Sequence, residues 1–177
     1  MSSSDELSSE ARKRRLSLLI REHAGRERRE AFASRLAQVT NAEWLFLPIE
    51  ESDRIRREIS LAISKARRSD AVAVAVAVEE HLDEPDLLTR LVALLDAEPR
   101  SPVVVAPSRS EEVGLLRMSR LEPHTVVGLL AVDGDSLIIS GADHTWGVIV
   151  ELIETAQGYD HMLTAWGTGA AAGSGGA

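Results

Sequence analysis

Cysteine is absent from the 177 residues. Disulfide frameworks, thiolate metal sites and cysteine nucleophiles are therefore excluded, and with no signal-peptide pattern at Met1 the setting expected is a reducing cytoplasm. No apolar run approaches the roughly 18 residues of a membrane span. Phosphate-binding glycine loops of the G-x-G-x-x-G and G-x-x-x-x-G-K-[ST] kinds are missing, as are G-x-S-x-G and H-E-x-x-H. The usual nucleotide-fold enzymes, serine hydrolases and zinc peptidases lose their signatures with them. The five histidines (His23, His81, His124, His144, His161) show no ligand spacing, so neither a metal nor a cofactor is expected.

Hydrophobic residues make up 44% and charged residues 27%, which is globular composition with enough apolar material for a core. The net charge is −8, but it is unevenly placed. Residues 11–39 carry nine basic side chains against three Glu, a local +6 that leaves −14 for the remainder. An acidic body repels phosphate backbones. Any contact with DNA is therefore expected at the N-terminal segment, through Arg12, Arg14, Arg15, Arg28 and Arg29.

Residues 1–10 are rich in Ser and acid and read as disordered, and 167–177 as a flexible tail. Between them, 11–40 reads as a basic pair of short helices, Glu10–His23 and Arg28–Val39, broken at Gly25. The stretch 41–166 reads as one α/β domain. Trp44–Ile49, Ala71–Val78 and Pro102–Ala106 are strands alternating with helices at Asp53–Arg68, from Asp83 or Glu84 onward, and over Glu111–Arg120. The AVAVAVAV run is apolar on both sides, which places Val74 and Val76 in the centre of a sheet. Asp133-Gly134 between two apolar runs signals a hairpin, Thr125–Val132 with Ser136–Ser140. A final helix is expected from Asp143 or Thr145 to about Leu163. The fold class expected is a three-layer α/β sandwich on a mostly parallel sheet of about five strands, with a C-terminal hairpin and an N-terminal helical pair.

Ligands of such sheets gather beyond the carboxyl ends of the strands. The polar residues expected there are Glu79 and His81, then Ser108 and Arg109, then Asp143 and His144. Arg109 could grip a phosphate or carboxylate through its planar fork. His144, beside Asp143 at an expected helix start, could favour an anion. Trp146 reads as a core anchor.

The stretch VVGLLAVDGDSLIISGADHT (Val126–Thr145) resembles the strand-turn-strand of the phospholipase D-like superfamily, in which H-x-K-x-x-x-x-D precedes such a turn. With Asp133 at the motif aspartate, the motif His and Lys fall on Val126 and Gly128, which can neither attack a phosphodiester nor hold its phosphate. His124 lies two residues too early. A catalytically dead version of that fold is similar to the sensor domain of TrmB-type transcription regulators. The resemblance implies binding of a sugar or related metabolite and a role in transcription regulation. Residues 12–39 are similar to the first two helices of a winged helix, without its recognition helix.

The function expected is a non-enzymatic regulatory or ligand-sensing domain. It would be a homodimer, taking a small anionic or sugar-like ligand and touching DNA weakly if at all. The alternatives are a phosphodiesterase or other phosphoryl hydrolase built on Arg109, Asp133 and His144, and a protein-protein interaction module.

Overall fold

The structure is a computed structural model and describes residues 3–68, 76–97, 102–156 and 158–167. In chain order the elements are α1 (Ser3–Val39), β1 (Trp44–Phe46), α2 (Ile49–Arg68), β2 (Val76–Leu82), α3 (Glu84–Ala97), β3 (Val103–Pro107), α4 (Ser110–Val113), β4 (Leu116–Met118), α5 (Pro123–Asp133), β5 (Ser136–Gly141), β6 (Gly147–Thr155) and β7 (Gly158–Trp166). The seven strands form one sheet in the order β1-β4-β3-β5-β6-β7-β2, and every neighbouring pair is antiparallel. The expectation of a mostly parallel, five-stranded sheet is thereby overturned.

Four local readings account for the error. Asp133-Gly134 closes a helix instead of a hairpin: α5 ends there, Gly134 takes the left-handed conformation (φ 79°), and its N–H bonds to the carbonyl of Leu130. The expected final helix is the hairpin β6–β7, whose strands pair from Gly147↔Trp166 to Thr155↔Gly158. Strand β4 occupies part of the stretch read as a helix over Glu111–Arg120. The alanine-valine strand is at the sheet's edge among the described residues, paired to β7 alone. Val78 on it is 53% exposed. Val74 lies outside the described residues, as do the rest of 71–75 and the tail from 168.

The N-terminal pair is likewise one continuous helix, beginning at Ser3 within the stretch read as disordered. Gly25 is buried where α1 presses on α4, and a Cβ there would collide with the carbonyl oxygen of Glu112. Its role is close packing, so it does not end the helix.

Helices cover both sides of the sheet, unequally. Phe32 and Leu36 of α1, Leu87 and Leu91 of α3, and Val126 and Leu129 of α5 pack with Val103, Val105, Leu137, Ile139, Val148 and Leu163. On the other side α2 sets Ile55, Ile59 and Ala66 against Val104, Ala106 and Trp166. Strand alternation divides Val103 and Val105 from Val104, and that alternation explains why the Val-Val-Val run is buried throughout.

One ion-pair cluster ties α1 to α2. Asp53 accepts both terminal nitrogens of Arg21, at 2.7 and 2.9 Å, and also binds Arg56. The Arg21 contact holds the Asp53 carboxyl down at about 2 against the opposing effect of burial. A carboxyl depressed in the folded state stabilises fully above its unfolded value near 4 and loses that contribution as pH falls to about 2. Acid titration of Asp53→Asn, followed by circular dichroism, should therefore show a flatter loss of stability between about pH 4 and 2 than the parent.

Candidate functional site

The turn from Gly141 to Trp146 joins β5 to β6 and is fastened by its own backbone, Gly141 N–H to Trp146 O at 3.2 Å and His144 N–H to Gly141 O at 3.1 Å. Asp143 accepts the N–H and hydroxyl of Thr145 at 3.1 and 2.9 Å. These bonds, the backbone one foremost, draw its carboxyl below the usual range. No helix starts here, so the expected anion site at a helix N-terminus does not exist. His144 instead takes a left-handed backbone (φ 61°), a conformation that costs a side-chain-bearing residue about 1–3 kcal/mol.

The turn holds His144 between two partners. Its Nδ1 lies 3.0 Å from Ser140 Oγ and its Nε2 lies 3.5 Å from Glu58 Oε2 on α2. Beside it a pocket of about 530 Å³ opens between α2 and the turn, walled by Leu61, Ala62 and Trp166 and edged by Glu58, Lys65, Asp143 and Thr145. Serine, imidazole and carboxylate thus follow one another in hydrolase order. However, Ser140 is fully buried, and its hydroxyl also reaches the carbonyls of Gly141 and Trp146 at 3.1 and 3.3 Å. A nucleophile must reach its substrate, and this oxygen does not.

The other expected site residues are elsewhere. The Ser108 N–H donates to Asp133 Oδ2 at 2.7 Å, and Arg109 is exposed beside them. Burial raises the Asp133 carboxyl above its ordinary value while the Ser108 bond opposes the rise. Asp133 precedes β5 and His144 follows it, so a strand of six residues, about 20 Å, separates them. Glu79 and His81 lie within β2, at the far edge of the sheet, instead of beyond a strand's end. Glu79 pairs with Arg90 at 2.7 Å and His81 with Asp160 at 3.1 Å. The six candidates therefore occupy three places, and of them Asp143 and His144 line one of the pockets described.

The five arginines expected to meet DNA also divide. Arg28 pairs with Glu112; Arg29 donates to the Val113 carbonyl at 2.6 Å and lies 5.6 Å from the ring centre of Phe46. Both hold α1 to the domain. Arg12, Arg14 and Arg15 are exposed. Arg29→Ala should accordingly cost about 1.5–3 kcal/mol, the worth of a charge-assisted hydrogen bond, and Arg14→Ala nearly nothing when both are melted in urea.

Sequence reasoning missed Glu58, Lys65, Ser140 and Trp166, because nothing in their local spacing announces that α2 crosses the β5–β6 turn. It also missed a cleft of about 710 Å³ on the opposite side, between α3 and the segment 119–124, with Trp146 in its wall. Of its ionic groups, Arg120 and His124 stand around Glu122 at 3.6 and 3.5 Å, all three exposed, and Asp96 lies on the α3 side. Among the described residues no cluster of His, Asp and Glu could hold a metal ion, and no helix is long and apolar enough to cross a membrane. Comparison with protein-family models, curated proteins and solved structures finds no match.

Proposed function

We propose that the chain is a non-enzymatic regulatory domain of the cytoplasm that senses a small neutral, hydroxyl-rich ligand in the pocket at His144 and associates with itself through α1. The observation that carries the ligand reading is the His144 turn itself. A strained turn tied by its own hydrogen bonds forms one wall of a pocket, and occupation of that pocket bears directly on the turn's geometry. The chemistry of the walls selects the ligand. Two carboxylates, Glu58 and Asp143, edge the pocket beside one lysine, with Glu58 also paired to Arg54 at 2.8 Å, so hydroxyls find acceptors and an apolar sugar face finds Leu61 and Trp166. An anionic ligand gripped by Arg109, the other expectation, has no comparable cavity around it among the pockets described.

Self-association rests on α1. From residue 9 to Ile20 every side chain except Leu18 is exposed, among them Leu16, Leu19 and Ile20 on one stripe. An exposed apolar stripe of this kind gains from cover.

Thermal melts of the full chain with glucose, maltose and trehalose, each in excess, test the ligand reading. At least one should raise Tm by a few degrees, as expected at 100 times the Kd, and the rise should vanish in Ala62→Trp, which fills the pocket. No rise with any of them, or a rise kept by Ala62→Trp, contradicts it. Bis-aryl phosphodiesters should not be hydrolysed above the buffer rate, and turnover lost on His144→Ala would restore the hydrolase alternative.

A further inference from the structure

Six interstrand steps of about 4.8 Å make the sheet roughly 29 Å wide, and helices packed 8–10 Å apart cover that width in threes. On one side α1, α3 and α5 do so. On the other, α2 is the only helix among the described residues, and it runs from β3 to the Trp166 end of β7. Among the described residues no helix covers the lower halves of β6 and β7 or β2 beside them.

Alternation identifies what is open there. Ile149 and Trp166 face α2, so Ile153 and Met162, both half-buried, face the same way farther along their strands, and neither belongs to the α2 cluster. Val78, opposite Thr164 on β2, is exposed beside them. Acidic groups surround this apolar strip: Glu151 and Asp160 lie on the same side by the same alternation, and exposed Glu80 stands at the β2 bulge.

The complementary surface is on α1. Its free segment, residues 9–20, is about 18 Å long and combines the apolar stripe with Arg12, Lys13, Arg14 and Arg15. The segment continues the helix that is fixed to the domain at Arg21 and Gly25, so it cannot fold back onto its own sheet.

We propose that the open β6–β7–β2 face receives the α1 arm of a second copy, with Leu16, Leu19 and Ile20 on Ile153, Met162 and Val78. The arm's basic groups then oppose Glu80 and Glu151. This rests on the self-association proposed above and adds the surface that accepts it. One arm of three turns falls short of the roughly 800 Å² per partner of a stable interface. Exchange is therefore reciprocal, each copy giving its arm and receiving one, and the assembly closes as a dimer.

Charge reversal on the full-length chain, read as mass by sedimentation equilibrium, tests this. The parent should sediment at twice the chain mass at tens of micromolar. Arm reversal (R12E with R14E and R15E) and face reversal (E80K with E151K) should each weaken dimerisation at least tenfold, and the chain carrying both sets should recover it. Recovery also shows that neither set merely unfolds the protein. If arm reversal yields single chains while face reversal leaves the dimer intact, self-association stands and this surface is wrong. A parent that stays single at every concentration overturns both. Failure of the combined chain to recover overturns the charge pairing, and so does an arm reversal that spares the dimer but abolishes retention on duplex DNA.

Discussion

Val105→Asp should leave no folded protein, whereas Val78→Asp should fold and melt cooperatively, losing no more than the dimer contact proposed above. The two valines belong to runs that look alike in sequence, Val-Val-Val and alanine-valine. Val105 is fully buried in β3, between β4 and β5, with its side chain among those of α1, α3 and α5. An unpaired carboxylate there costs several kcal/mol, comparable with the 5–15 kcal/mol that holds a typical domain folded. Val78 is on the edge strand and faces solvent. Soluble expression and a cooperative melt for each variant decide the matter, and an unfolded Val78→Asp would return the alanine-valine strand to the centre of the sheet.

Gly25→Ala is the second large effect, and its sign carries the information. In an exposed helix interior alanine outranks glycine by about 1 kcal/mol, so the substitution would stabilise an unattached helix. At the α1–α4 contact the added carbon meets a backbone carbonyl that has no rotamer to change. Overpacking of this kind costs about 1–3 kcal/mol, which in a chain of this length lowers Tm by roughly 2–12 °C. A rise in Tm would mean that α1 is not seated where Gly25 and Arg29 place it.

The apolar stripes of α2 and α3 were legible in the sequence because a one-sided helix has one reading: Ile55, Ile59 and Ala66 fall together at no other period. Strands that are apolar on both sides were not. In β6, Val148, Ile149, Leu152 and Ile153 happen to match helical spacing because Val148 packs toward the α1 side and Ile149 toward α2. Glycine at positive φ serves helix ends and hairpins alike, so Asp133-Gly134 could not distinguish them. The same ambiguity hid the site. His144 was singled out as an anion-binding residue at a helix start, and it sits beside a pocket for a different reason. Its partners Glu58 and Ser140 come from elements whose crossing only the tertiary structure fixes.

The separation of Arg109 and Asp133 from His144 by the length of β5 is what most divides a sensing pocket from a catalytic one. Amide NMR of the labelled full chain, titrated with the saccharide that raises Tm, reads that separation residue by residue. Shifts should be confined to Glu58–Lys65, Ser140–Gly147 and the residues about Trp166, and should leave Ser108, Arg109 and Asp133 unmoved. Shifts centred on Ser108–Arg109, or spread over both ends of β5, would contradict the account.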